Sequence, residues 1–157
     1  MSKLKIACDI DGCVCDLSDA ILDFAKKKSL NIDTSKYPWL GDDVFRKHPE
    51  IFKAGRAVKG AAETLKSLSS SYDVIFITSR PVEGAKETAE WLKDAGMDYP
   101  VYHTTRRKGE IAAAQGVDMA IDDSPVEISS YKDAGIPVLM CEHTYNRDVE
   151  AMRMVWA

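Results

Sequence analysis

Leu4-Lys5-Ile6-Ala7-Cys8-Asp9-Ile10-Asp11-Gly12 is the stretch that decides the fold. A short apolar run ends in two carboxylates spaced two apart, and a glycine follows. Alternate residues of a strand point to opposite faces until the chain bends. Gly12 permits that bend without a Cβ clash. Asp9 and Asp11 can then face one pocket, where two negative charges call for a cation or a proton between them. Such a pocket suits a divalent metal together with nucleophilic and acid/base chemistry. Asp-x-Asp also occurs in loops without catalytic roles, so this motif alone leaves both readings open. An EF-hand is excluded, because its glycine stands sixth in the loop. Here glycine is fourth, and Cys13 and Cys15 follow.

Working outward, β-type runs recur at Leu4–Cys8, Asp73–Ile77, Met119–Ile121 and Val138–Cys141, with Pro100–Tyr102 a fifth candidate. Helical spacing separates them. Val58–Ser69 carries Ala62, Leu65 and Leu68, and Val82–Ala95 carries Ala85, Ala89 and Leu92 before a C-capping Gly96. Glu110–Gln115 and Val126–Asp133 are shorter helices that end at Gly116 and Gly135. This alternation predicts a parallel sheet with helices on both faces. Every strand's C-terminal end then lies on one edge, where ligands bind. Residues 16–57 break the rhythm. They are helical at first (Leu17, Ile21, Leu22, Phe24, Ala25), then polar and aromatic through Tyr37-Pro38-Trp39 and Phe45, with no convincing strand. They are expected to form a small helical insert over the strand edge. The expected layout is one domain over 1–157, with a core of 1–15 and 58–157.

The bulk numbers fit such a domain. The chain has 157 residues, 45% hydrophobic and 29% charged, with a formal charge of −4. That charge provides no global basic field for nucleic acid. The apolar runs are too short to span a membrane, and no signal-peptide core opens the chain, so a cytoplasmic protein is expected. The four cysteines match no zinc spacing. Cys8 and Cys141 read as small buried hydrophobes, and Cys13 and Cys15 as reduced thiols filling a tight turn.

The later strands also end in polar residues. Thr78-Ser79-Arg80 follows the second run, and Asp122-Asp123-Ser124-Pro125 follows Met119–Ile121. Lys108-Gly109-Glu110 opens a helix between them. Each has a plain structural explanation: a helix N-cap for Thr78 and Ser79, a turn for the acidic pair, a solvated cation for Lys108. All of them arriving on one sheet edge is hard to explain that way. The set matches what phosphoryl transfer needs: a nucleophile in line, an acid for the leaving oxygen, and cations over the phosphoryl oxygens. Magnesium prefers the hard oxygens that these carboxylates supply.

Asp9-Ile10-Asp11-Gly12, Thr78, Lys108 and Asp122-Asp123, in that order, resemble the four motifs of the haloacid dehalogenase (HAD) superfamily of phosphatases. The resemblance covers nearly the whole chain. It implies a Rossmannoid three-layer α/β/α fold with a small helical cap inserted after strand 1. Val58-Lys59-Gly60-Ala61, Thr78-Ser79-Arg80-Pro81, Ile121-Asp122-Asp123-Ser124-Pro125 and Tyr145-Asn146-Arg147 look like the 5′(3′)-deoxyribonucleotidase branch.

The resemblance implies roles residue by residue. Asp9 attacks phosphorus and becomes an aspartyl-phosphate. Asp11 protonates the leaving alcohol and then activates water. Asp9, the Asp11 carbonyl and Asp123 hold Mg²⁺. Asp122 orients Lys108 or a metal-bound water. Thr78, Ser79, Arg80 and Lys108 bind the phosphoryl group.

The insert is expected to choose the substrate, a small phosphorylated molecule such as a nucleotide. Phe24, Tyr37, Trp39, Phe45 and Phe52 are available to stack on a base, or to form the insert's own core; Phe24 and Phe52 favour the core, and Trp39 is the stacking candidate. His48 or Arg46 would reach a sugar or phosphate. Two alternatives stay open. One is a polynucleotide 3′-phosphatase, kept alive by Arg46, Lys47, Lys53 and Arg56. The other is a non-catalytic metal- or phosphate-binding module. The oligomeric state is not legible.

Overall fold

Alternate residues of every central strand feed two separate cores, and this fixes the layering. The computed structural model describes residues 3–35 and 37–156. Met1, Ser2, Lys36 and Ala157, counted in the domain expected over 1–157, lie outside the described residues. In chain order the elements are β1 (Leu4–Cys8), β2 (Cys15–Asp16), α1 (Ser18–Lys27), α2 (Asp42–Lys47), a 3₁₀ turn at Pro49–Lys53, and β3 (Arg56–Ala57). Then come α3 (Ala61–Leu68), β4 (Tyr72–Thr78), a 3₁₀ turn at Val82–Gly84, α4 (Ala85–Asp94), β5 (Val101–His103) and α5 (Lys108–Ala114). The chain closes with β6 (Met119–Asp122), α6 (Pro125–Asp133), β7 (Val138–Cys141), a 3₁₀ turn at Thr144–Asn146, and β8 (Met152–Met154).

Six strands form one parallel sheet in the order β5-β4-β1-β6-β7-β8. Ile6, Cys8, Val74, Phe76, Ile121 and Cys141 pack on one face, against Leu65 of α3 and Trp91 and Leu92 of α4. Their neighbours Ala7, Ile75, Ile77, Ala120, Val138 and Met140 pack on the other, against Ala112 of α5 and Ile128 and Tyr131 of α6. The result is the expected three-layer α/β/α architecture. Burial of this kind contributes roughly 25 cal/mol per Å² of apolar surface.

The chain runs from β1 through the insert to its neighbour β4, on to β5, and then crosses back to β6 on the other side of β1. Strand order therefore reverses around β1, and such switch points leave a crevice at the carboxyl ends of the strands. Asp9, Thr78 and Asp122 lie at the ends of three adjacent strands for that reason.

Two features depart from the sequence expectations. The sequence of 16–57 shows no convincing strand, yet its two ends pair as the antiparallel strands β2 and β3. The insert leaves and rejoins the core at one place, so the backbone groups there satisfy one another. A sixth strand, β8, was not expected at all; Met152 is largely exposed on this edge, so the segment lacks the apolar run of the inner strands.

The insert's residues Ile21, Phe45, Ile51 and Phe52 belong to the same buried cluster as Leu65, Trp91 and Leu92. Trp91 donates from Nε1 to the Gly55 carbonyl at 2.8 Å, so this tryptophan joins insert to core. Among the described residues, no helix is long and apolar enough to cross a membrane.

Candidate functional site

The first carboxylates are set by a turn that only glycine permits. The amides of Cys13, Val14 and Cys15 all donate to the Ile10 carbonyl, so the chain doubles back immediately after β1. Gly12 has φ of +87°, and a Cβ there would overlap the Asp123 carboxylate. This turn brings Asp9, from the end of β1, within reach of Asp123, from the end of β6. The Asp9 amide also donates to the Ile121 carbonyl at 2.9 Å, which fixes the two strand ends together.

Lys108 enters at the first turn of α5, the crossover from β5 to β6. Its Nζ donates to Asp9 Oδ1 at 2.7 Å and Asp122 Oδ2 at 2.9 Å, with all three side chains buried. Burial pulls the Lys108 ammonium toward neutrality, but Asp122 and Asp9 outweigh it and hold its pKa well above the usual lysine value. The other Asp122 oxygen, Oδ1, accepts the amides of Asp123 and Ser124. Asp122 therefore shapes the turn after β6 and positions Lys108.

Asp9 and Asp123 carry the surplus negative charge. Burial pushes the Asp9 carboxyl well above the ordinary range, and Asp122 adds to the effect. Burial and Asp122 together push Asp123 up to about 7. Single ligand atoms of Asp9, Cys13 and Asp123 all lie within 4.8 Å of one another. Two buried carboxylates competing for protons at one point are the donor set that a hard divalent cation satisfies. The Cys13 thiol stands 4.0 Å from Asp123 Oδ1, and burial pushes its pKa well up. It is an inert neighbour to a hard ion.

These groups open into a cavity of about 250 Å³ lined by Asp9, Asp11, Tyr37, Trp39, Thr78, Ser79, Lys108, Asp123, Ser124 and Glu127. Nine of these ten residues stand out in the sequence, Tyr37 and Trp39 from the insert among them. Glu127 was missed. It accepts the Lys108 amide at 3.1 Å from the first turn of α6, a tertiary contact with no local sequence signal.

Arg80, expected on the phosphoryl group, is elsewhere. Its guanidinium is fully buried and forks onto the Asp11 carboxylate. It is absent from the cavity lining because β4 ends at Thr78, and Arg80 turns inward from there. His48 and Arg46 do not reach the cavity either. His48 packs at a tilt against the Phe24 ring and pairs with Glu50, while Arg46 pairs with Asp43 and Glu83. Lys53 is bound to Glu90 and Arg56 to Asp19, so these cations are engaged by carboxylates rather than lining an open basic groove. Phe45 and Phe52 are completely buried against one another. Phe24 is only partly buried and lines a separate pocket with Lys28, Val44 and His48.

The C-terminal segment supplies the remaining partners. Tyr145 donates to Asp123 Oδ2. Asn146 Nδ2 bridges the carbonyls of Asp123 and Cys141, at 2.8 Å each. His143 Nε2 donates to the Gly12 carbonyl at 2.6 Å, and Trp156 Nε1 to that of Cys13 at 2.8 Å. Tyr145-Asn146-Arg147 was singled out in the sequence, but its hold on Asp123 was not legible there.

Residues 3–157 match the family described as 5′ nucleotidase, deoxy (pyrimidine), cytosolic type C protein (NT5C). The chain belongs to the NT5C family. A curated relative from Chlorobaculum tepidum, named "Putative 5′(3′)-deoxyribonucleotidase", is 25% identical over 111 residues, covering 66% of this chain and 53% of the relative. The chain thus spans about half the length of that relative. Among solved structures, a haloacid dehalogenase-like hydrolase from Streptococcus pneumoniae superposes with a TM-score of 0.67 at 15% identity, covering 96% of this chain and 93% of that one. A Bacillus subtilis protein named "putative HAD-hydrolase YfnB", solved bound to magnesium, gives 0.67 at 12% identity, with coverage of 98% and 95%. These likenesses establish the HAD-type fold for the NT5C chain.

Proposed function

We propose that this protein hydrolyses phosphomonoesters through an aspartyl-phosphate on Asp9, and that its substrates are nucleoside monophosphates. The observation that carries this reading is the convergence of Asp9, Lys108, Thr78 and Asp123 on one cavity that Trp39 and Tyr37 also line. Membership of the NT5C family agrees with it.

The residues divide the work as follows. Asp9 Oδ attacks phosphorus in line with the departing oxygen. Asp11 gives that oxygen a proton, and takes one from the water that later cleaves the acyl-phosphate. The Thr78 hydroxyl and the Ser79 amide receive the phosphoryl oxygens. Lys108 neutralises their charge from a fixed position in a site with little water, where such a charge acts most strongly. Asp9, Asp123 and the Asp11 carbonyl would hold magnesium, which supplies Lewis-acid stabilisation of the phosphoryl charge when bound. A base would lie against Trp39, whose ring is backed by Phe45 at 4.3 Å between centroids. All four cysteines are free and buried, which suits a reducing cytoplasmic setting.

The test is a substrate panel with Mg²⁺: p-nitrophenyl phosphate, 5′- and 3′-nucleoside monophosphates, and a 3′-phosphorylated oligonucleotide. Hydrolysis of the monophosphates in preference to the oligonucleotide is expected. Preference for the oligonucleotide, weakening steeply with salt, would replace this reading with a polynucleotide phosphatase. Absence of any turnover would leave a binding module.

A further inference from the structure

Arg80 is a fully buried cation that the chemistry above does not use. We propose that Arg80 is the positioning residue of Asp11, aiming its carboxyl at the leaving oxygen and tying that aim to the insert through Phe52. This rests on the phosphatase reading and adds to it how the acid is held in place.

A guanidinium has five N–H groups, and every nitrogen here is engaged. Nε donates to Asp11 Oδ2 at 2.9 Å and Nη2 to Asp11 Oδ1 at 2.7 Å. Nη2 also approaches Cys15 Sγ at 3.6 Å. Nη1 donates to Thr88 Oγ1 at 3.2 Å and to the Phe52 carbonyl at 3.5 Å. The Phe52 ring covers the guanidinium, with its centroid 4.5 Å from Cζ. No donor is spare for a phosphate.

Geometry then says what the fork accomplishes. Each carboxylate oxygen of Asp11 gives one lone pair to Arg80. The other lone pairs remain for the cavity that Asp11 lines. A planar fork fixes the carboxylate plane in a way that a point charge such as lysine cannot. The backbone of Arg80 is itself fixed, with its amide on Thr78 Oγ1 and its carbonyl accepting from His103 Nδ1 at 2.9 Å. Phe52 is wedged against Gly84, where a Cβ would collide with its ring. The insert, α4 and the end of β4 therefore meet at one guanidinium, and Asp11 takes its orientation from all three.

The affected step balances simply. Asp9 Oδ forms its bond to phosphorus while the bond from phosphorus to the leaving oxygen breaks. The electron pair goes to the leaving oxygen, which takes the proton of Asp11. A nucleoside leaves as an alkoxide and needs that proton; p-nitrophenolate leaves largely without it.

The test compares kcat/KM for a nucleoside 5′-monophosphate and for p-nitrophenyl phosphate, both with saturating Mg²⁺, in the wild type, Arg80→Lys and Phe52→Leu. Arg80→Lys should lose about 10²-fold or more on the nucleotide, the usual scale of acid catalysis. Its loss on p-nitrophenyl phosphate should be at least about tenfold smaller. Phe52→Leu, which keeps every donor and loosens their support, should show the same skew at smaller amplitude; it keeps the question answerable if Arg80→Lys does not fold by circular dichroism. Equal losses on both substrates, or none, would reduce Arg80 to a structural residue and overturn the inference. A wild type that hydrolyses neither substrate would remove the phosphatase reading, and this inference with it.

Discussion

Lys108 Nζ stands 2.7 Å from Asp9 Oδ1, and neither side chain has appreciable contact with solvent. The proposed nucleophile is therefore held by a cation that reaches it from a different crossover. Removing one partner of a buried charge pair costs about 3–5 kcal/mol, because the other is left uncompensated. Lys108→Met should lower the thermal midpoint sharply in metal-free buffer. Adding Asp122→Asn to it should recover part of the loss, since one of the two stranded carboxylates is then neutral. Turnover should fall at least about 10²-fold in both variants. A single variant as stable as wild type would show that the ion pair does not hold Asp9 in the folded protein.

The acidic centre gives a pH dependence with a definite sign. Asp123 is pushed up to about 7, and Asp9 is raised well above its usual value, both chiefly by burial. Between the ordinary carboxylate value of about 3.9 and those raised values, the folded chain binds more protons than the unfolded one. In EDTA its stability should therefore fall as pH rises from about 4 toward 7. Magnesium competes with those protons, so the rise in melting temperature on adding it should be larger at pH 8 than at pH 5. A rise independent of pH would mean that the ion binds away from Asp9 and Asp123. Activity should vanish in EDTA and return with Mg²⁺.

Much of this site was legible because its residues sit where the backbone pattern ends. Asp9, Thr78 and Asp122 each terminate an apolar strand run, and parallel topology alone brings strand ends together. Lys108 was legible as a cation opening a helix on the same edge. Arg80 departs from its expected place on the phosphoryl group because sequence shows that a cation follows the strand, but not which way it turns. Its inward turn depends on Asp11, Thr88 and Phe52, which are 69, 8 and 28 residues away. Glu127 and Tyr145 belong to the same class of contact. The strand β8 escaped notice for another reason: at a sheet edge, hydrogen bonding rather than an apolar run defines it.

Tyr145 should act through metal affinity. Its hydroxyl donates to Asp123 Oδ2, and it stacks on His143, whose ring holds the Gly12 carbonyl. Partners that orient a metal ligand typically contribute about 10–100-fold in affinity. Tyr145→Phe keeps the ring and deletes the hydroxyl. The Mg²⁺ concentration for half-maximal activity should rise by that factor, with kcat at saturating Mg²⁺ much less affected. An unchanged Mg²⁺ titration with a reduced kcat would point to contact with substrate instead.

Trp39 carries the substrate prediction. It lines the cavity beside Tyr37 and is braced by Phe45 at 4.3 Å and Phe52 at 6.5 Å. A half-buried ring held on one side by buried rings presents its other face without much further ordering cost. Stacking of a base on an aromatic side chain contributes about 1–3 kcal/mol. Trp39→Ala should therefore raise KM for nucleoside monophosphates about ten- to a hundredfold. Its effect on p-nitrophenyl phosphate should be much smaller, since the reacting groups stand on the strand edge rather than on the insert. Phe45→Leu, which removes the brace but leaves the indole, should shift the nucleotide KM in the same direction and by less. Equal losses on both substrates, with a lowered melting temperature, would assign Trp39 to the packing of the insert. Recognition of the base would then fall to Tyr37, which shares the cavity wall but is already anchored at its hydroxyl by the Leu17 amide at 2.8 Å.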